Sequence, residues 1–295
     1  MTSKNIKPVL AIASFVVMAL AGLHSAHAAS WNFASLSGGQ TYTSAVGVDL
    51  TGMSTARSSM STNTPDTAST VFTAATVYSW GGSGLGVVKP TLEDHNATGP
   101  HAIDNVYGTD AIVLGFGATK VNLSSLSIGW DGTDNGTSPY TDSDLSVFAW
   151  MGSGTPTPAL PTMEDLNNGT AVTSGWKLIG NYGNVGANTS GSGTDSQALS
   201  ANTVYSSHWL VSAYNSNYGT SSANGNELNG FNDAFKLLSV TGDQCLHNVT
   251  NNSCGPGQVP EPSGLALLGV GLVGLLTTRN ARRRQSMGSQ TAAFS

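Results

Sequence analysis

Two groups of residues in this sequence have types and spacing suited to chemistry, and both are rich in carboxylates. In Asp131-Gly-Thr-Asp-Asn-Gly136, followed by Asp142 and Asp144, five residues match a calcium-loop spacing. Asp131, Thr133, Asn135, Gly136 and Asp142 fall at its first, third, fifth, sixth and twelfth places. Oxygen donors at alternate positions suit a hard cation, and glycine at the sixth permits the sharp turn. The sequence calls for no cofactor, and calcium is the one ion its spacing suggests, with Asp131, Thr133, Asn135, Asp142 and Asp144 as the candidate ligands. The set is incomplete, because the twelfth place holds Asp rather than Glu and no helical pattern flanks the loop. Asp-Gly and Asn-Gly pairs are also ordinary turn formers, so both readings stand.

The second group is Glu93-Asp-His95 with His101 and Asp104. Imidazole beside carboxylate can move protons or hold a transition metal. The group precedes an apolar run, where Asp104 and Asn105 can equally cap turns and His101 can bond a buried carbonyl. Nucleophile and phosphate motifs are missing: there is no G-x-S-x-G, no H-E-x-x-H, no phosphate loop and no dinucleotide fingerprint. Paired carboxylates of a glycosidase meet only in three dimensions, so the acids alone argue neither way. No catalytic residue is expected, and the protein reads as non-enzymatic. The alternatives are a carbohydrate-binding module using exposed aromatic rings and a glycan-active enzyme.

The elements that must position these residues are strands. Gly, Ser, Thr and Asn abound, only 9% of residues are charged, and no long stretch shows helical periodicity. Strands are expected over 41–50, 69–80, 111–116, 122–130, 145–151, 176–182, 204–213 and 234–240, each followed by turn formers. Within 121–130, Val121 and Leu123 share one face, while Leu126, Ile128 and Trp130 share a face in a shifted phase. The slip at Ser124-Ser125 predicts a bulge or bend. Trp80, Trp130, Trp150, Trp176 and Trp209 lie in or beside strands, as core tryptophans do, and an exposed subset could stack on sugars. A turn or two of helix is expected over 162–168, with Thr162 as N-cap. With no βαβ alternation, the expected fold is all-β: an antiparallel β-sandwich, jelly-roll-like, with long Gly/Ser/Asn loops over 183–196 and 215–229.

Both ends of the 295-residue chain read as processing segments. Lys4 and Lys7 precede the uncharged apolar run 8–23, which ends in Ala26-His27-Ala28, an A-x-A cleavage site. A signal peptide is therefore expected over 1–28, with the Sec export machinery and signal peptidase as partners. The exported β domain would span 29–244 and a disulfide-closed linker 245–258. Cys245 and Cys254 are the two cysteines, and in an oxidising compartment they are expected to pair. Zinc would need ligands beyond these thiols and His247. Six of the 11 basic residues lie in the end segments and five between them, whereas 16 of the 17 acids lie between, so the exported span carries a net charge of about −11. Nucleic acid, which demands a basic patch, is excluded as a partner.

At the other end, Val259-Pro260-Glu261-Pro262 runs directly into the apolar stretch 263–278 and then into Arg279, Arg282, Arg283 and Arg284. The prolines hold the approach extended, the apolar stretch suits one short transmembrane helix, and the arginines stop transfer on the cytoplasmic side. Residues 285–295 would form a cytoplasmic tail. This order resembles the PEP-CTERM sorting signal, recognised by the membrane enzyme exosortase. The resemblance implies a Gram-negative, exopolysaccharide-making species and processing near Pro260–Pro262. The inner membrane would be occupied only transiently, and the product would be released or attached at the cell surface, associated with exopolysaccharide or biofilm. Residues 101–105, 110–116, 128–130 and 142–147 also resemble the subgroup of exosortase-dependent surface proteins, which brings no catalytic residues with it.

Overall fold

A computed structural model describes residues 26–55, 66–67, 70–89, 101–106, 108–131, 142–153, 166, 175–186, 194–230, 232–245, 249–250 and 253–254. The chain divides into two units, residues 1–255 and 256–295. The second, with the sorting segment, the arginines and the expected transmembrane helix, lies outside the described residues, as do most of the signal peptide and the 162–168 helix apart from Leu166.

The first unit is all-β and antiparallel in every ladder. In chain order the strands are β1 (Ala26–Asn32), β2 (Gln40–Thr41), β3 (Ser44–Ala45), β4 (Val48–Ser54), β5 (Thr73–Ser79), β6 (Leu85–Val88), β7 (Ile103–Asp104) and β8 (Asp110–Gly115). They continue with β9 (Lys120–Asp131), β10 (Leu145–Trp150), β11 (Trp176–Tyr182), β12 (Asp195–Ala198), β13 (His208–Ala213), β14 (Ala234–Cys245), β15 (Val249–Thr250) and β16 (Ser253–Cys254). Fourteen of them form one hydrogen-bonded network in the order β11-β10-β13-β8-β4-β5-β6-β14-β9-β12, with β1 and β7 on β14, β2 on β5 and β3 on β4. β15 and β16 make a separate hairpin.

The network turns a corner at β5. Its first residues pair with β4 (Ser54 opposite Thr73) and its later ones with β6 (Ser79 opposite Leu85). Gly52 makes the corner tight: a Cβ there would lie 2.8 Å from the Ala75 carbonyl oxygen. On one side of the corner, β8 reads Asp-Ala-Ile-Val-Leu-Gly and is buried at every position, as a strand covered on both faces must be. Ile112 and Leu114 join the main core with Val147, Trp209 and Val211. Ala111 and Val113 face a second cluster with Phe148, Leu210, Phe72, Leu166 and Tyr218. The long connections are thus partly folded back over the sheet.

β9 carries the slip read at Ser124-Ser125. Against β14, Ser125 lies opposite Thr241 and Leu123 opposite Gly242, so Ser124 is the extra residue of a bulge. Its side chain is exposed, while Val121, Leu123, Leu126 and Ile128 all point into the core. Six strands escaped the pattern, β1, β6, β7, β12, β15 and β16, and the expected strand 41–50 is broken into the end of β2, β3 and the start of β4. β12 starts inside the loop expected over 183–196, because Asp-Ser-Gln-Ala has no apolar alternation and is held on the edge by its ladder to β9. β1 begins at Ala26, inside the A-x-A site, and pairs along its length with 239–245 of β14.

Candidate functional site

Three buried carboxylates meet where β10 and β14 begin. Asp142 and Asp144 approach β10, Asp233 directly precedes β14, and Asp142 and Asp233 form a parallel bridge. One oxygen from each lies within 4.8 Å of the others, and all three residues are buried. The strands dictate the meeting: Ala234 N–H donates to the Asp142 carbonyl at 3.0 Å and the Ser143 hydroxyl to the Ala234 carbonyl at 3.0 Å.

Amide donors surround the cluster. Asp144 Oδ1 accepts from the Asn184 N–H at 2.7 Å, and its Oδ2 from the Asn229 N–H at 2.6 Å. The Asn229 side-chain amide donates to Asp142 Oδ2 at 2.5 Å. Asp233 Oδ1 accepts from the Asp144 N–H at 3.0 Å, and its Oδ2 from Asn105 Nδ2 at 2.5 Å. Asn105 Oδ1 in return accepts from the Asp233 N–H at 3.0 Å, so asparagine and aspartate lock each other on both sides.

These donors only partly offset burial. Burial pushes the Asp144 carboxyl up to about 7, against the pull of the Asn184 amide, and the charge of Asp142 adds to the rise. Burial holds Asp233 well above the usual carboxylate range, reinforced by the charges of Asp144 and Asp142 and by a carboxyl–carboxyl hydrogen bond to Asp142. Tyr214, whose N–H donates to the Asp144 carbonyl, is pushed to about 12 by burial and by Asp144 and Asp233. The arrangement therefore retains protons near neutral pH. Oxygens this close are also the donor set of a hard cation, although the amides occupy lone pairs that such an ion would need.

The structure thus brings together two of the five expected calcium ligands, Asp142 and Asp144. It adds Asp233, which the sequence spacing missed because it lies far along the chain. Asp131 is not in the group. Its Oδ2 lies instead beside Gly186, near Asp195: a Cβ on Gly186 would be 3.0 Å from the one and 3.1 Å from the other. Thr133, Asn135 and Gly136 lie outside the described residues. The signal that could have found the site is the pair of polar segments 101–105 and 142–144, each flanking an apolar strand.

The second sequence group is dispersed into structural tasks. Asp104 Oδ1 caps the turn by accepting from the Val106 N–H at 3.0 Å. His101 stacks on Trp80 at 5.5 Å. Glu93, Asp94 and His95 lie outside the described residues. Of the tryptophans, Trp209 is fully buried and bonds the Val121 carbonyl, Trp176 is buried, and Trp80, Trp130 and Trp150 are half-buried. Lys236 Nζ lies 4.8 Å from the Trp80 ring centre and 4.4 Å from that of Trp130, so the protein's own cation sits against both rings. Cys245 and Cys254 are joined by a disulfide at the end of β14. Among the described residues no helix is long and apolar enough to cross a membrane.

An all-β body and a Pro-Glu-Pro, apolar and arginine-rich tail define a protein whose fold and address are separate parts of one chain. Residues 258–284 match the PEP-CTERM protein-sorting motif, which supports a PEP-CTERM sorting-domain protein. The matched span contains Val259, Pro260, Glu261 and Pro262 together with Arg279, Arg282, Arg283 and Arg284. The motif implies export and exosortase-dependent sorting to the cell envelope or surface, with exosortase as the processing partner. No curated protein and no solved structure matches the chain.

Proposed function

We propose that this protein is a non-enzymatic component of the cell surface or extracellular matrix, cut by exosortase near Pro260–Pro262 and associated with exopolysaccharide. The sorting motif at 258–284 carries the reading. The acidic, Gly/Ser/Asn-rich body supports it, as does the absence of nucleophile motifs from the sequence. In this reading the body is a β-sandwich whose two sheets meet at β5, and residues 1–28 are removed on export. The apolar stretch 263–278 holds the inner membrane only until the cut. The aromatic faces of Trp80 and Trp130 engage Lys236, which favours a structural role for them over a sugar platform.

Deleting exosortase tests this. The protein is expected to accumulate in the membrane fraction with its tail and to disappear from the surface and medium; unchanged size and location would overturn the proposal. Co-sedimentation with exopolysaccharide from the same strain tests the matrix half, which fails if the mature protein stays in the supernatant.

A further inference from the structure

A second buried ionisable group lies between β6 and β8. Lys89 follows β6 directly and Asp110 opens β8. Lys89 Nζ is 3.2 Å from Asp110 Oδ1, and the two side chains are only 2% and 0% exposed. The amine also donates to the Gly108 carbonyl at 3.4 Å, which keeps it at the start of β8. Ser54 and Lys89 face the Asp110 carboxyl, yet neither carboxyl oxygen accepts a well-aligned hydrogen bond. A buried charge pair needs good geometry and further hydrogen bonds to recover its desolvation cost, and the Asp110 oxygens lack the second. Burial pushes Asp110 up to about 8 in spite of Lys89, and the neighbouring Asp104 adds to the rise. The carboxyl is thereby held in its neutral form, the form in which a carboxyl carbon accepts a nucleophile.

A buried amine held at 3.2 Å from a buried carboxyl, out of water, is the pair that amide formation joins, the amine reacting as its free base. Fixed contact removes the entropic cost of bringing the two together, and exclusion of water disfavours the reverse hydrolysis. We infer that Lys89 and Asp110 condense into an intramolecular amide bond. Lys89 Nζ attacks Asp110 Cγ and the Nζ–Cγ bond forms. The bond from Cγ to one carboxyl oxygen then breaks, and that oxygen departs as water with one proton from Nζ and the carboxyl's own. No electrons are exchanged and no co-reactant is consumed. The bond ties the end of β6 to the start of β8 and closes residues 90–109 into a covalent loop, whether or not the sorting reading holds.

Mass spectrometry of the intact, reduced and denatured protein is the test. The expected mass is one water below that of the processed sequence, and protease digestion should yield a branched peptide joining Lys89 to Asp110. Cyclisation at Asp-Gly or Asn-Gly also changes mass, so the branched peptide is the deciding readout. Lys89→Arg keeps the cation without a condensing amine and should restore the full mass. Asp110→Asn should still join, expelling ammonia in place of water. If Lys89 and Asp110 are recovered in separate linear peptides from folded, aged wild-type protein, the inference is overturned; that result needs no variant to fold.

Discussion

Two buried acidic sites stand at strand ends in this protein and meet the cost of burial in opposite ways. At Asp142, Asp144 and Asp233 three like groups are crowded together, and backbone and asparagine amides hold them while protons are retained. At Asp110 a single carboxyl is set against a single amine with few other polar partners. The first site is rich in donors and remains titratable. The second is poor in donors, and the outcome inferred for it is a bond between carboxyl and amine. The comparison shows that burial alone does not determine what a carboxylate does; the number and kind of neighbours it brings along decide.

The largest expected effect separates the sites by deletion. Lys89→Met opens the inferred cross-link and leaves the Asp110 carboxyl buried without its partner, and should cost about 3–5 kcal/mol of unfolding free energy in urea denaturation. Adding Asp110→Leu should recover much of that loss. A single-variant cost below about 1 kcal/mol would remove the contrast.

Next comes pH. Asp144 and Asp233 have native pKa values above their unfolded ones, so between pH ~4 and the Asp144 value of about 7 the folded state binds more protons than the unfolded state. Stability is then greatest at the acidic end of that window and falls as pH rises through it, by on the order of 3 kcal/mol. Melting curves from pH 5 to 8 read this directly. A flat profile would mean that the amide donors, not protons, bear the burial cost.

Reducing Cys245–Cys254 should cost roughly 2 kcal/mol, since the bridge closes only a short loop beyond the last long strand. The smallest effect concerns Asp142→Asn. It removes a charge that raises both neighbours and keeps an oxygen for Asn229, so at pH 8 it should stabilise by about 1 kcal/mol. At pH 5 it should do little, and destabilisation at pH 8 would show that the third carboxylate is needed where it stands.

Much of the sheet was legible because apolar runs and alternation are local. β8, β10, β11, β13 and the bulge at Ser124 follow from side-chain pattern alone. β12 and β1 were hidden for different reasons. One is polar and is held only by its ladder, and the other overlaps a segment that reads as a processing site. The carboxylate cluster was half legible. Asp142 and Asp144 are neighbours in sequence, but Asp233 and Asn105 reach them only through the pairing of β7 and β14. Lys89 and Asp110 were silent, because an isolated Lys and an isolated Asp carry no pattern until the strands bury them together.

The central claim, that the chain is a surface protein delivered by cutting its tail, is tested most directly by the terminal peptides of the protein recovered from cell surface and medium. The account predicts a mature chain beginning at Ala29 and ending between Val259 and Pro262, with 263–295 absent. Recovery of surface protein still carrying Ser295, in cells with active exosortase, would contradict it.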